Sequence, residues 1–515
     1  MICADRLRFA RAAASWWPPT VVACVVGALY VCYSLAQWRA LVAPSWDLGI
    51  FTEAAQAYSR GEAPIVPIKG PGYNLLGDHF HPILALLGPV YRLFPSALTL
   101  LVVQDLLIAA SVLPIARLAQ RLLGRGGALL VGLSYGLGWG LQGAVAAQFH
   151  EVCVAVPLLA GGGVAFVERR WGACMAWLAP LVLVKEDLGL TVFVAGLALA
   201  WRRREEGRSA LLTSLLYALF GIVAFVVTVK VLLPAVNPAG TWAYSLDGAA
   251  TGAGTPTGGT SATRELPSLW DIVATPPVKL ATLLVLLASA GLAGASSPWF
   301  ALVLPTIAWR FAGSVQTYYL WDSWHYNAVL VPIAACSLLD VVNRWLSPGR
   351  VGGSVILPAR SDSQGAEVLT EASADRVAPA SSLRARRAAA WSAACVPALC
   401  LAFTCSALPM WHLPELTANP RLSAAEGAIG AVPEGASVET DTTLLARLVP
   451  GREVYWVGTT TGMDTPPEYV VVDTRSYTWG GAQVDAASWA SSAHPGHTYE
   501  TVYSKQGFRV AHRTS

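Results

Sequence analysis

Charge is scarce in this chain. Only 13% of its 515 residues are Asp, Glu, Lys or Arg, against 54% hydrophobic, whereas soluble domains carry about a quarter charged residues. The deficit excludes a string of soluble domains and puts most of the chain in lipid. A net charge of +3 is too small to point to nucleic acid as a partner. CxxC spacing is absent, so the nine cysteines form neither a redox nor a zinc motif. All but Cys3 lie in or beside apolar segments and read as small buried hydrophobes. No cysteine follows Cys405, so nothing staples the C-terminal part. No internal repeat is visible, and no glycine-rich phosphate loop precedes a helix.

What is present is a series of apolar runs punctuated by arginine. Spans of about 20 residues turn this length into roughly ten helices. Positive flanks stay cytoplasmic, so Arg6, Arg8 and Arg11 hold residues 1–17 inside. The run from Pro18 to Gln37 is too long for a signal-peptide core and is the first span of a transmembrane core over residues 18–345. Residues 38–82 form an outer loop, with Leu48 to Tyr58 a short interfacial helix. Arg117, Arg121 and Arg125 mark an inside loop, and Gln148 to Glu151 an outer turn.

The segment from Trp171 to Trp201 begins and ends at basic clusters, yet Lys185-Glu186-Asp187 interrupts it. Two short helices meeting at a polar turn satisfy both ends, and such a break is tolerated only beside a cavity or inside protein. A second outer loop covers 235–275, with a low-complexity core from Asp247 to Thr263. Pro298 to Phe311 goes out again, and Tyr318 to Asn327 is the next outer turn. Residues 346–388 read as a cytoplasmic disordered linker, and 389–408 as the last transmembrane helix. The count comes to about eleven spans, with the C-terminus outside a bacterial cytoplasmic membrane. Residues 414–515 read as a small soluble α/β domain, with helices at Arg421–Ile429 and Thr443–Leu448. Its strands are expected at Ala436–Glu439, Glu453–Val457, Tyr469–Asp473 and near Gly507–His512.

Arginine alone sets this topology, so the placement of the acids and histidines is a separate observation. Asp47, Asp78, His79, His81, His150, Glu151, Glu186, Asp187, Asp322 and His325 all fall at outer ends or turns. Ionisable residues at membrane depth are costly and mark function. Asp47 can take a proton from an acceptor hydroxyl or help hold a metal; alternatively it caps the helix at Leu48. Asp78 and His79, with Asp47, are the candidates for a divalent cation, although histidines 79 and 81 converge only in an extended loop. His81, His150 and Glu151 suit substrate hydroxyls. Lys185 either reaches a phosphate as a point charge or pairs with Glu186 and Asp187. Arg310, His325 and Tyr326 are further substrate-binding candidates in a region as aromatic as an interfacial belt.

Trp46-Asp47-Leu48-Gly49-Ile50-Phe51, Gly77-Asp78-His79-Phe80-His81-Pro82, Phe149-His150-Glu151, Lys185-Glu186-Asp187-Leu188-Gly189 and His325-Tyr326 resemble a family of bacterial predicted membrane proteins, domain-of-unknown-function family 2079. Members often read Phe-Asp-Leu-Gly and Phe-His-Pro where this chain has Trp46 and Glu151. The family is similar in turn to the GT-C glycosyltransferases, which use polyprenyl-phosphate sugars outside the membrane. The resemblance implies a GT-C-like polytopic helical fold with a small extracytoplasmic α/β domain. It also implies a catalytic acid in the first outer loop, which Asp47 matches by position, supported by Asp78 and His79. The implied partners are membrane lipid, a polyprenyl-phosphate sugar donor and a glycan, lipid or protein acceptor. A lipid-linked substrate transporter or flippase, or a non-enzymatic envelope assembly protein, is the competing reading.

Overall fold

The computed structural model describes residues 2–237, 240, 269–313, 315–347 and 380–515. The expected loop core from Asp247 to Thr263, and residues 348–379 of the linker expected over 346–388, lie outside the described residues; at its far end the linker expectation is corrected, because 380–388 open the helix Ala380–Thr404. Five described helices are long and apolar enough to cross a membrane, including Trp17–Arg39 and Ala97–Gly136, and four shorter apolar helices accompany them. Helix α1 (Ile2–Arg39) packs along α3 (Ala97–Gly136). Gly27 meets Ala109, and Gly132 and Gly136 meet Val22 and Val26; small residues let membrane helices approach this closely.

α3 is two antiparallel helices rather than one. The chain reverses at Gly124, whose φ of 78° is one that side chains rarely adopt. The returning limb places Gly132 on Ala116 and Gly136 on Val112, and Ser111 Oγ lies 2.7 Å from Tyr135 Oη. Arg117 and Arg121 are therefore helical, and the expected inside loop shrinks to a turn. Arg121 and Arg170 both pair with Glu168 beside it. The apolar run from Ile83 also divides: Leu87–Leu93 is a separate short helix, parted from α3 by Pro95. Pro298–Val303 is a 3₁₀ turn leading into the nine-residue helix Leu304–Ala312, which is too short to span alone.

The interrupted segment behaves as its charges require. Helix Trp171–Leu178 and a 3₁₀ turn (Ala179–Leu183) end at Lys185-Glu186-Asp187, and Leu188–Arg203 begins directly after. Cys153, Cys174 and Cys336 are buried, but Cys24 and Cys32 are exposed. They lie on an outward face of an apolar helix, so the expectation of burial in protein holds only for part of the set.

The C-terminal part forms a five-stranded sheet in the order β2-β1-β3-β5-β4. The strands are β1 (Ser437–Thr440), β2 (Glu453–Trp456), β3 (Tyr469–Asp473), β4 (Tyr499–Lys505) and β5 (Phe508–Arg513). β2, β1 and β3 are parallel, and β5 pairs antiparallel with β3 and β4. Alternation along β3 sends its valines to both faces. Val470 and Val472 pack with Ala486 and Ala490 of the helix Ala486–Ala493. Val471 joins Val438, Val454 and Val510 in one core with Leu48, Ile50 and Phe51 of α2 (Asp47–Ser59). The sheet thus lies against the first outer helix, and that contact fixes where Asp47 sits.

Candidate functional site

The chain turns into α2 at Ser45-Trp46-Asp47. Trp46 occupies the N-cap without a capping side chain, so Asp47 is the first helical residue and not the cap. Its carboxylate gains from the positive end of the helix. Ser45 Oγ donates to Asp47 Oδ2 at 2.7 Å, and His150 Nε2 lies 3.4 Å from the same oxygen. Burial pushes the Asp47 carboxyl up, but His150 and Ser45 outweigh it and hold it below the ordinary value. The side chain keeps 30% of its surface exposed, facing a cleft of about 1220 Å³, open mouth included.

That cleft collects the polar residues of four separate chain segments. Asp47, Asp78, His79, His81, His150, Glu151, Lys185, Glu186, Asp187, Arg310, His325 and Tyr326 all line it. Asp322 does not line it; its Oδ1 accepts from Ser323 Oγ at 3.2 Å.

Most of these charges are already matched. Lys185 Nζ donates to Glu151 Oε1 at 2.7 Å. Burial raises the Glu151 carboxyl, yet Lys185 and the surrounding imidazoles bring it well below its ordinary range. His79 Nδ1 lies 2.7 Å from Glu186 Oε1, whose other oxygen accepts the Phe80 amide at 3.1 Å. Burial lowers the His79 value, but Glu186 outweighs it and raises it. Lys69 Nζ donates to Asp78 Oδ2 at 2.5 Å and Tyr73 Oη to Oδ1 at 3.3 Å; burial raises the Asp78 carboxyl, but the neighbouring His79 charge, then Lys69 and Tyr73, outweigh it and lower it. Lys69 escaped the sequence reading. It stands nine residues before its acid in a Pro- and Gly-rich loop, with no motif around it.

His81 behaves differently. Burial carries it down to about 4, and its Nδ1 finds no partner, so it is a neutral ring set edge-on to Phe51. The other two imidazoles stack: the rings of His150 and His325 are 3.6 Å apart and 21° from parallel. Both follow strained backbone. Gln148 has φ 70°, and Trp324 has φ 62° with ψ 169°, a region almost reserved for glycine and costing about 1–3 kcal/mol.

Arg310, like Asp187 whose Oδ1 finds no partner, is an exception to the matched charges. It is 3% exposed and donates to the Tyr318 carbonyl at 2.8 Å, the Tyr326 carbonyl at 3.1 Å and Asn327 Oδ1 at 2.8 Å. No carboxylate lies within ion-pair distance of it among the described residues. The fork ties down the aromatic turn and also faces the cleft.

The described residues offer no ready-made site for a divalent cation. Asp47, Asp78 and His79 are engaged by His150, Lys69 and Glu186 respectively, so each donor is already neutralised by a different group. No set of three His, Cys, Asp or Glu side chains is arranged to hold a metal ion among the described residues.

No curated protein matches the chain. Among solved structures, ArnT from Cupriavidus metallidurans bound to undecaprenyl phosphate aligns with a TM-score of 0.50 at 14% identity. The alignment covers 95% of this chain and 97% of that one. At that identity the likeness shows the fold, that of a GT-C-like multi-pass membrane protein. The model of the family described as predicted membrane protein (DUF2079) matches residues 38–510, and the chain belongs to that family.

Proposed function

We propose that the protein transfers a sugar from a polyprenyl-phosphate donor to an acceptor hydroxyl on the outer side of the bacterial cytoplasmic membrane. The observation that carries this reading is that one cleft holds both a carboxylate turned into it, Asp47, and a buried guanidinium without a carboxylate partner, Arg310. A buried cation without a counter-charge is costly, and a phosphate supplies the missing charge to a planar fork. The structural neighbour bound to undecaprenyl phosphate supports the same ligand chemistry.

The reaction is a displacement at the sugar's anomeric carbon. The acceptor oxygen forms the new bond as its proton passes to Asp47. The carbon–oxygen bond to phosphate breaks with its electrons going to the phosphate, whose charge Arg310 stabilises. Lys185 was the first expectation for that charge, but it is held by Glu151 at 2.7 Å. Its role, with Glu186 and His79, is to keep the wall of the cleft in place.

The test is transfer from radiolabelled polyprenyl-phosphate sugars in proteoliposomes that contain bacterial envelope acceptors. Wild type moves label off the lipid and folded Asp47→Ala does not. Label remaining on every donor with wild type overturns the reading.

A further inference from the structure

The Asp47–His150 contact turns on where one proton sits. His150 Nδ1 lies 3.2 Å from the Gln148 carbonyl, which can only accept, so Nδ1 carries the proton. In the neutral ring, Nε2 is then a lone pair. It faces Asp47 Oδ2 at 3.4 Å, is buried, and makes no hydrogen bond. Without a proton Nε2 is an acceptor turned on a carboxylate oxygen; with one it supplies the charge that holds the Asp47 carboxyl down, so the contact is a resting place for a proton delivered by a substrate hydroxyl.

The surroundings hold the ring in that attitude. The Gln148 carbonyl belongs to a residue at φ 70°, whose side chain is anchored by Nε2 donating to the Val42 carbonyl at 2.9 Å. The His150 amide donates to Gln104 Oε1 at 3.2 Å. His325 covers one ring face at 3.6 Å. Such strain persists only where the surroundings over-determine it, and it gathers at functional sites.

We propose that Asp47 and His150 act as a proton relay, in which the proton that Asp47 takes from the acceptor hydroxyl passes to Nε2 of His150. This rests on the transfer reading above. One O–H bond breaks and one O–C bond forms; the C–O bond to phosphate breaks with its electron pair on the phosphate. The proton ends on the imidazole, Asp47 is again a carboxylate, and the imidazolium discharges to water at the open mouth. His325 is a positioning residue, acting through the stack.

The groups facing His150 are Asp47 from α2, Glu151 from its own turn and His325 from the aromatic turn; Lys185 and His79 reach it through Glu151. The experiment compares wild type, His150→Ala and His150→Gln in the proteoliposome assay, across pH and with added imidazole, each variant checked by its melting temperature. The relay predicts a kcat loss of about 100-fold in both variants at unchanged donor KM. It also predicts loss of the acid limb of the wild-type pH profile, and recovery of His150→Ala by imidazole. Restoration by glutamine, which holds a hydrogen bond but cannot carry the proton, would overturn it and leave His150 structural. So would an intact acid limb without imidazole rescue in a folded variant, or wild-type rates in both variants. Absence of transfer by wild type itself overturns the function reading and the relay with it.

Discussion

Glu151 and Lys185 stand on different turns, yet their charged atoms meet at 2.7 Å with side chains only 3% and 16% exposed. Each neutralises a charge the other would otherwise leave in a poorly solvated place. Removing one partner strands the other, which costs about 3–5 kcal/mol for a buried pair. Lys185→Met and Glu151→Gln each lower the melting temperature in detergent, and the double variant recovers most of the loss. Additive losses would mean the two do not act as a pair.

Arg310 combines two duties that substitution separates. Arg310→Lys keeps the charge but cannot reproduce three bonds from a rigid fork. The aromatic turn loosens, and donor KM rises by about tenfold or more if one charge-assisted bond to phosphate is lost. Arg310→Met loses the charge too and raises donor KM further. Titration with the polyprenyl-phosphate donor reads both.

Two imidazoles in one loop respond to pH in opposite senses. The folded value of His79 is raised, so its stabilisation is complete below about 6.5 and is lost as pH rises through the elevated folded value. The folded value of His81 is depressed to about 4. Its contribution is present above about 6.5 and is lost as pH falls from there toward the folded value. Melting curves over that range show His79→Gln removing an alkaline decline and His81→Gln an acid one. The same slope in both variants would contradict the assignment.

Two motif glycines differ in what they tolerate. A Cβ on Gly77 would lie 2.6 Å from the Asn237 Cα and 2.7 Å from its backbone nitrogen, so backbone has to move next to Asp78 and His79. A Cβ on Gly49 meets only the ends of Ile68 and Leu445, at 2.9 and 3.0 Å, which rotamer changes relieve. Gly77→Ala therefore destabilises by about 1–3 kcal/mol and lowers transfer, whereas Gly49→Ala costs less than about 1.5 kcal/mol. Melting temperature and transfer rate measured on both variants check the order.

Arginine suggests a sidedness for the chain, and motif chemistry singles out twelve residues that are among those lining the cleft. Their convergence was not legible, because it depends on packing between segments more than a hundred residues apart, such as His79 and Glu186. Lys69 carried no pattern, and its role appears only with Asp78 beside it. Arg117, Arg121 and Arg125 suggest a loop where the chain instead reverses in a turn at Gly124. β4 was missed for a clearer reason. It lies at the sheet edge with most residues exposed, so it lacks the apolar run that marked β3. The metal expectation came from residue types alone, and types do not reveal which partner each donor already has.

The sheet's contact with α2 also bears on how the molecule is made. Gln56 exchanges hydrogen bonds with the backbone at Gly451 and Arg452, 396 residues downstream in the case of Arg452. A ribosome adding about 5–20 residues per second takes roughly 20–80 s to supply that partner. For that interval the apolar face of α2, Leu48, Ile50 and Phe51 among it, exists without the strands that bury it. Biosynthesis thus finishes the wall behind Asp47 last, and premature termination anywhere before the sheet leaves a membrane core with an unfinished mouth.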